Sequence, residues 1–185
     1  KAGYDYAKEK FGNNFKYKIK PVGKGGKLFM SGNEAICAGA IKAGLKFFSA
    51  YPMTPASSLL HTMASFEKDY NLVVKHTEDE IAAMNMAIGA NFAGVRAMTA
   101  TSGGGFALMV EAFGLAAQTE TPLVVVDAMR PGPATGMATH SGQGDLKFIL
   151  NAAPDDFPRI VLAPGTVDEC FYLTFQAFNI AEKYQ

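Results

Sequence analysis

The sequence predicts an α/β fold, namely a doubly wound domain whose mainly parallel, six-stranded sheet has helices on both faces. First, short β-branched or apolar runs alternate with longer helical patterns along most of the chain, an order typical of parallel α/β sheets. Second, the predicted fifth strand at residues 122–127 is apolar up to its final aspartate, as expected of a strand covered on both faces. Third, 185 residues with 49% hydrophobic content suffice for one core, and not comfortably for two.

The first 26 residues differ from the rest of the chain. Residues 1–11 have a short helical pattern. Asn13 and Asn14 and a lysine- and glycine-rich run at residues 16–27 follow it, a composition that indicates a linker. We therefore expect residues 1–26 to be the tail of an upstream domain with a linker, and residues 27–185 to be the α/β domain.

Strands and helices alternate through the predicted domain. The strands are expected at residues 28–31, 46–51, 72–76, 95–101, 122–127 and 159–163. The helices are expected at residues 33–43, 55–70, 81–92 and 106–118, in a short segment ending at residue 152, and at residues 166–183.

Capping signals mark several of the helix starts. Thr54 suits an N-cap and Pro55 suits the first helical position that follows it. Thr77 and Glu80 have the spacing of a capping box, in which a hydroxyl and a carboxylate satisfy free amides at a helix start. The same pattern recurs at residues 166–169.

Charge and cysteine content exclude several classes of partner. Seventeen basic residues balance seventeen acidic ones, so no net field attracts nucleic acid or an anionic membrane. No apolar run approaches the roughly 18–20 residues that span a bilayer, and no signal peptide opens the chain. Cys37 and Cys170 lie far apart on predicted helices, which favours free thiols over a disulfide. We expect a cytoplasmic protein.

Four segments that could carry chemistry all follow predicted strands. They are the turn at residues 51–55, the helix start at 77–80, the glycine-rich segment at 102–105 and the loop at 130–145. Open α/β sheets bind ligands at the carboxyl ends of their strands. We therefore expect these segments to form one site.

Motifs for other chemistries are absent from the sequence. The glycines at 103–105 lack the Gly-x-Gly-x-x-Gly spacing of dinucleotide sites, and there is neither a P-loop nor a Gly-x-Ser-x-Gly elbow. The histidines and cysteines are dispersed, so we predict no metal site within this chain.

Each signal also has a purely structural interpretation, which the local pattern alone favours. Glu80 would then only complete a capping box, and the glycines at 103–105 would only permit a tight turn. Thr54 would only cap a helix, Arg130 would be a solvated loop residue and His140 a surface residue. The order of all four segments along one chain is more specific than any one of them.

Together the four segments resemble one enzyme family. They read Tyr51-Pro-Met-Thr-Pro-Ala-Ser-Ser, Glu78-Asp-Glu-Ile-Ala-Ala, Thr99-Ala-Thr-Ser-Gly-Gly-Gly-Phe and Arg130-Pro-Gly-Pro-Ala-Thr-Gly. In this order they resemble the α subunit of 2-oxoacid:ferredoxin oxidoreductases, and within it the 2-oxoglutarate and broad-specificity members. The resemblance covers residues 27–185. Met53 and Ala56 depart mildly from the family's turn motif, and Ala134 stands where its loop usually has serine, a position that bears on substrate identity.

The resemblance implies the pyrimidine-binding domain of a thiamine diphosphate enzyme, in which a glutamate contacts N1′ of the aminopyrimidine. Glu80 matches that glutamate by register because it precedes the small-residue helix that ends at Gly89, and Glu78 is the second choice. The alanines and Gly89 are expected to allow close packing around the carboxylate. Substrate contacts are implied for Thr54 and for Arg130, whose guanidinium suits a carboxylate. The residues implied to bind the cofactor are Tyr51, Pro52, Glu80, Ser102, Gly103, Gly104 and Phe106.

The same resemblance implies a partner subunit. The sequence lacks the Gly-Asp-Gly motif and following asparagines that hold Mg²⁺ and the diphosphate, and it lacks a cysteine set for an iron–sulfur cluster. A β subunit is therefore implied to carry the Mg²⁺ and diphosphate site and a 4Fe–4S cluster. The implied complex is a heterodimer or a dimer of heterodimers that engages ferredoxin and CoA, and the chain alone is expected to be inactive.

The activity that the resemblance implies is oxidative decarboxylation of a 2-oxoacid, with 2-oxoglutarate favoured, to its acyl-CoA with electrons passed to ferredoxin. The preferred 2-oxoacid is expected to depend on Arg130 and on the loop at residues 135–140. Two alternatives stay open. One is a non-catalytic α/β binding or assembly module, and the other, which the glycine spacing disfavours, is a nicotinamide-dependent enzyme.

Overall fold

The computed structural model describes residues 1–12, 14, 16–17, 19–20, 23 and 25–185. The helices in this part of the chain are α1 (Ala2–Phe11), α2 (Gly32–Lys42), α3 (Ser57–Phe66), α4 (Glu80–Phe92), α5 (Gly103–Gln118), α6 (Leu146–Leu150) and α7 (Val167–Tyr184). The strands are β1 (Phe47–Ala50), β2 (Val73–His76), β3 (Ala97–Thr101) and β4 (Val124–Asp127).

The strands of the described residues form one fully parallel sheet in the order β2-β1-β3-β4. Ser49 of β1 pairs in register with Lys75 of β2 and with Thr99 of β3, and Met98 of β3 pairs with Val124 of β4. The chain runs from β1 to β2 on one side and then crosses to β3 on the other side of β1. The strand order therefore reverses between β1 and β3, and ligands of such sheets bind at the carboxyl ends of the strands at the reversal.

Helices cover both faces of the sheet. On one face, Phe48 of β1 and Met98 of β3 are fully buried in a core formed with α2, α3 and α7. Successive strand residues point to opposite faces, and Ser49 accordingly points to α4, where its hydroxyl donates to the Ala83 carbonyl at 2.7 Å. Met84 of α4 belongs to a second core shared with α5. The predicted parallel α/β fold with helices on both faces is confirmed.

The sheet has four strands in the described residues instead of the six predicted. The predicted strands at residues 28–31 and 159–163 lie outside the sheet. Leu28 and Phe29 are 84% and 105% exposed, and Ile160 is 56% exposed. The composition of these segments favours a strand, but a strand also needs a neighbouring backbone to complete its hydrogen bonds. Neither segment makes such a pairing, so these two predictions are wrong.

The start of α4 differs from its predicted capping box. Asp79 is the cap, since its carboxylate accepts a hydrogen bond from the Ala82 amide at 2.7 Å. The Thr77 hydroxyl instead donates to the Asp79 carbonyl at 2.8 Å. Glu80 is thus the first helical residue, and its side chain is not used for capping.

The starts of α3 and α5 also differ from prediction. The Ala56 amide donates to the Met53 carbonyl at 2.7 Å, which closes a backbone turn and delays α3 to Ser57. Thr54 is therefore not the cap of α3. Gly103 begins α5, so the three glycines form the first turn of that helix rather than a loop before it.

The N-terminal region is only partly described. A helix is present as predicted at Ala2–Phe11, and it has no buried residue. Asn13 and residues 15, 18, 21, 22 and 24 of the predicted linker lie outside the described residues. The division into residues 1–26 and 27–185 stays a prediction.

Both cysteines are free thiols, as predicted. Cys37 of α2 is fully buried, and burial raises the pKa of its thiol to about 12. It therefore stays protonated at neutral pH. None of the helices in the described ranges combines the length and the apolarity needed to cross a bilayer.

Gly39 generates a prediction because it lies where α2 packs on α7. A Cβ at residue 39 would collide with the Phe171 carbonyl oxygen and lie 3.1 Å from its carbon. We expect Gly39→Ala to lower the free energy of unfolding by roughly 1–3 kcal/mol, because overpacking outweighs the gain of about 1 kcal/mol in helix propensity. Urea unfolding measures the change.

Gly89→Ala is the matched control, because nothing lies within 4 Å of a Cβ added at that position of α4. We expect this variant to equal or exceed the wild type in stability, since alanine is the better helix former. A Gly39→Ala protein as stable as the Gly89→Ala protein would contradict the described packing of α2 on α7.

Candidate functional site

Three of the predicted segments meet at the edge where the strand order reverses. β1 leads into the turn at residues 53–56, β3 leads directly into α5, and β4 leads into the loop before α6. A Cβ on Gly104 of α5 would lie 3.5 Å from the Ala134 carbonyl oxygen and 4.0 Å from Met53 Cε. Thr101 Oγ1, at the end of β3, lies 3.9 Å from Met53 Sδ. Residues 53 and 134, which are 81 positions apart in sequence, thus both lie against the start of α5.

Glu80 is the buried acid at this edge. It is 3% exposed at the first position of α4, and its Oε1 has no hydrogen-bond partner among the described residues. Buried polar atoms nearly always have a partner, and an orphaned one indicates a functional role or a missing ligand. The carboxylate of Glu80 is therefore the strongest candidate to receive a donor from a bound molecule. Glu78, the second choice, is exposed.

Gly105 makes room for this carboxylate. A Cβ at residue 105 would lie 2.6 Å from Glu80 Oε1 and 2.8 Å from its Cγ, and it would also collide with Thr101 Oγ1. The sequence prediction expected the backbone of residues 103–106 to approach the cofactor, but it did not name Gly105 as a site residue or predict its contact with Glu80. It gave the close-packing role to the alanines of α4 and to Gly89. Ala83 and Ala87 are fully buried, but Gly89 is exposed and has no neighbour within 4 Å of an added Cβ, so the prediction is wrong for Gly89.

Ser102 and Phe106 flank the glycine turn and are both buried. Ser102 is the N-cap residue of α5 but makes no side-chain cap, and its Oγ has no partner among the described residues. The Phe106 ring lies in the core between α5 and α6, with its centroid 5.7 Å from that of Phe113 and 5.5 Å from that of Phe148. Ser102 can therefore offer its side chain to a ligand, whereas only the backbone of Phe106 lies at the helix start.

Tyr51 and Pro52 follow β1 at the same edge. Tyr51 is 38% exposed, and its ring centroid lies 6.3 Å from that of His76 at the end of β2. Pro52 is half-buried. These residues form the side of the site that faces β2.

Arg130 joins the loop after β4 to the turn after β1. The residue is 8% exposed, and its Nη1 donates to the Thr54 carbonyl at 2.9 Å. The structure therefore brings together the two residues for which substrate contacts were predicted. The solvated-loop interpretation of Arg130 is wrong.

A cavity of about 590 Å³ opens beside these two residues. Its walls are Thr54, Pro55, Met129 and the loop residues Ala138, Thr139, His140, Ser141, Gly142 and Gln143. His140 is exposed and lines this cavity, so the surface interpretation of His140 misses its place beside the site. Its position after a strand was the signal that could have indicated this.

Asp127 and Asp145 form an acidic pair that the sequence prediction missed. Burial, the neighbouring charge of Asp145 and a hydrogen bond with its carboxyl together raise the pKa of Asp127 to about 7. The Asp145 carboxyl lies against the start of α5, since a Cβ on Gly103 would lie 2.5 Å from its Cγ. The described residues contain no cluster of three or more His, Cys, Asp or Glu that could hold a metal ion.

Comparison with known proteins identifies relatives of the chain. Residues 38–185 match the family described as pyruvate flavodoxin/ferredoxin oxidoreductase, thiamine diphosphate-binding. The 2-oxoglutarate synthase subunit KorA of Archaeoglobus fulgidus is 47% identical over 155 residues, which cover 84% of this chain and 45% of that protein. The α subunit of 2-oxoacid:ferredoxin oxidoreductase 1 of Sulfurisphaera tokodaii is 44% identical over 183 residues, covering 92% of this chain and 29% of that one.

A solved structure has the same fold. The 2-oxoglutarate:ferredoxin oxidoreductase of Magnetococcus marinus, with 2-oxoglutarate, coenzyme A and succinyl-CoA bound, matches with a TM-score of 0.84 and 41% identity. The match covers 88% of this chain and 28% of that chain. The present chain thus spans less than half the length of each of these relatives. Because the family match extends over most of the residues, including every segment of the site, the chain belongs to the thiamine diphosphate-binding family of the pyruvate flavodoxin/ferredoxin oxidoreductases.

Proposed function

We propose that this chain is the pyrimidine-binding part of the α subunit of a 2-oxoacid:ferredoxin oxidoreductase. The enzyme oxidatively decarboxylates a 2-oxoacid, with 2-oxoglutarate the favoured substrate, to its acyl-CoA and passes the electrons to ferredoxin. The observation that carries this proposal is the buried Oε1 of Glu80, which has no donor among the described residues and lies at the reversal of strand order. The names of the relatives support the same activity.

The residues at the start of α5 fit thiamine diphosphate. Glu80 Oε1 is a buried acceptor beside the start of α5, where the backbone of Gly104 is exposed and a flat heteroaromatic ring can approach it closely. When bound, the cofactor supplies the carbon nucleophile and the electron sink for decarboxylation. Glu80 would accept a hydrogen bond from the pyrimidine ring and hold or release a proton at Oε1. Its dry surroundings keep water from competing for that proton.

Arg130 and Thr54 are proposed to position the 2-oxoacid. The bond from Arg130 Nη1 to the Thr54 carbonyl fixes the plane of the guanidinium. Its remaining N–H groups can then bind a carboxylate in a defined orientation. Since the guanidinium fork is rigid and always charged, it binds a substrate carboxylate without having to gain a proton.

The cavity wall supports a dicarboxylic substrate. His140, Ser141 and Gln143 offer polar side chains on the wall formed by the loop. A volume of about 590 Å³ exceeds what a small 2-oxoacid needs and falls in the range of ordinary ligand pockets. Polar side chains on this wall, in addition to Arg130, favour a substrate with a second polar end, such as 2-oxoglutarate, over one with a branched apolar end.

We further propose a partner chain. With two cysteines in the whole sequence, Cys37 and Cys170, the chain cannot ligate a 4Fe–4S cluster through four thiolates. We assign that cluster, Mg²⁺ and the diphosphate site to a β subunit, in a heterodimer or a dimer of heterodimers in the cytoplasm. Exposed apolar side chains beside the site, Ile81 and Met86 on α4 and Leu108 on α5, suit such an interface.

The first prediction from this proposal concerns Glu80→Gln in the assembled complex. The amide keeps the shape of the side chain but cannot exchange a proton, so we expect turnover to fall by about 10²–10⁴-fold with the fold intact. CoA-dependent reduction of viologen with 2-oxoglutarate measures the loss. Glu78→Gln is the matched control, because Glu78 is exposed two residues away and should leave turnover unchanged. Wild-type turnover in Glu80→Gln would refute the assignment.

A second prediction concerns Gly105→Ala. The added methyl would enter the space of the Glu80 carboxylate and the Thr101 hydroxyl. We expect the affinity for thiamine diphosphate and the turnover each to fall by about tenfold or more, at a stability cost of roughly 1–3 kcal/mol. Calorimetric titration with the cofactor measures the affinity.

Gly114→Ala on the same helix is the control for this steric effect. A Cβ at residue 114 would lie 3.6 Å from Ala153 Cβ, an ordinary contact. We expect cofactor affinity in Gly114→Ala to stay within about twofold of the wild type. Equal effects of the two substitutions would show that position 105 has no special place beside Glu80.

A further inference from the structure

Two aspartates stand at the two ends of the loop that carries the proposed substrate residues. Asp127 is the last residue of β4, and Asp145 is the N-cap residue of α6. The segment between them contains Arg130 and the cavity wall at residues 138–143. Asp145 does not use its side chain to cap α6. That carboxyl is therefore free for another contact.

The two carboxyl groups face each other in a buried place. Asp127 pairs in register with Thr101 at the end of β3, and the Asp145 carboxyl lies against Gly103, two residues after Thr101. Burial, the charge of Asp145 and a side-chain hydrogen bond with it accordingly raise the pKa of Asp127. Both carboxyl oxygens of Asp127 and the Oδ2 of Asp145 are buried and have no donor among the described residues. Two neighbouring buried carboxylates cannot both stay ionised at low cost, and sharing one proton removes the repulsion.

No cation of the described residues neutralises the pair. The ion pairs in the described ranges are Lys10–Glu9 and Arg96–Glu182, and neither involves the loop. Two arginines on the surrounding elements are engaged elsewhere: Arg130 donates to the Thr54 carbonyl, and Arg159 donates to the carbonyls of Ile149 and Ala152. Glu80 packs on Gly105. The remaining titratable groups on these elements, His140 of the loop, Glu111 of α5 and Lys147 of α6, are exposed. A shared proton is thus the means by which the pair reduces its charge.

When the two carboxyls share one proton, one negative charge remains on the pair, and the start of α5 stabilises that charge. The Asp145 carboxyl lies against Gly103, where an added Cβ would be 2.5 Å from Oδ2 and 2.6 Å from Oδ1. Gly103 is the first residue of a helix of 16 residues, whose N-terminus carries a partial positive charge. One charge is stabilised there, and a second charge on Asp127 is not.

We propose that Asp127 and Asp145 share one proton, and that the hydrogen bond between the two carboxyls fastens the ends of the loop at residues 128–144. The bond keeps Arg130 and the cavity wall in position for the 2-oxoacid. When the proton leaves at alkaline pH, two negative charges face each other and the loop opens. The two aspartates are positioning residues. Their effect on substrate rests on the proposed function, whereas the closure of the loop does not.

Hydrogen–deuterium exchange of the assembled complex tests the closure directly. With intrinsic exchange rates divided out, we expect protection of residues 128–144 in the wild type to fall about tenfold or more from about pH 6 to about pH 9. In Asp145→Asn an amide N–H donates to Asp127 at every pH, so protection should change by less than about twofold. Asp127→Asn should behave in the same way. Asp168→Asn, on the exposed start of α7, should follow the wild type.

Two results of the exchange experiment would overturn the proposal. One is a wild-type loop whose protection does not depend on pH. The other is a decrease with pH in both asparagine variants as large as that in the wild type. If one of the two asparagine variants folds poorly, the other still tests the proposal, because each variant places the amide donor on the opposite member of the pair.

The Michaelis constant separates this inference from the proposed function. In the complex, we expect KM for 2-oxoglutarate to rise about threefold or more from about pH 6 to about pH 9 in the wild type, with a smaller change in kcat, and to stay flat in Asp145→Asn. A complex without 2-oxoacid activity at any pH would refute the proposed function while the exchange result still stands. An equal rise in KM in wild type and Asp145→Asn would refute the positioning role.

Thermal unfolding gives a further prediction with a defined sign. The pKa of Asp127 is raised from 3.8 to about 7 in the folded protein, so between these values the folded state holds a proton that the unfolded state has released. The folded state therefore loses stability as pH rises through this window, with no effect below it and a constant penalty above it. We expect the Tm difference between Asp127→Asn and the wild type to shift in favour of the variant as the pH rises from about 4 to about 7. The Tm difference between Asp168→Asn and the wild type should not change over the same range. A constant Tm difference between Asp127→Asn and the wild type would overturn the shared proton.

Discussion

The contact between Gly105 and the Glu80 carboxylate is the constraint on which the site depends. Helices α4 and α5 pack against each other on one face of the sheet, and the missing side chain at residue 105 leaves the space that the carboxylate fills. A larger residue would separate Glu80 from the end of β3, where Thr101 approaches Met53 of the β1 turn. The absence of a side chain at residue 105 therefore determines three features together, namely the burial of Glu80, the spacing of α4 and α5, and the position of the β1 turn.

The Glu80 carboxylate is available to a ligand because another residue caps α4. A carboxylate in a capping box would be occupied by backbone amides and held at the surface of the helix end. Asp79 takes that role here by accepting from the Ala82 amide, so Glu80 is displaced into the helix and points into the protein. The acidic segment at residues 78–80 thus divides into an exposed residue, a cap and a buried acid.

The sequence predicted the elements of the fold better than their ends. Periodicity identifies each helix and the four central strands, because core packing imposes it on every element. It could not separate residues 28–31 from true strands, since pairing depends on a neighbour distant in sequence. Nor could spacing alone choose between Thr77 and Asp79 as the cap, because both residue types suit that position. Within the site, four separate motifs pointed to the correct edge of the sheet, but Gly105 and the Asp127–Asp145 pair depend on contacts across elements that no local pattern encodes.

The loop after β4 illustrates how such contacts replace secondary structure. A connection longer than about 12–15 residues without its own helix or strand is uncommon and usually functional, because its conformational entropy must be offset by specific contacts. Internal backbone bonds, such as that from the Met137 amide to the Pro131 carbonyl at 3.0 Å, fold it on itself, and a Cβ on Gly142 would lie 2.6 Å from the Pro131 nitrogen. The bond from Arg130 to Thr54 then ties it to β1. The Ala128 amide also donates to the Thr101 carbonyl at 2.9 Å, so these contacts hold the loop close to its ends as well as within it. The proposed hydrogen bond between Asp127 and Asp145 would add a direct side-chain contact between the two residues that flank the loop, close to Arg130.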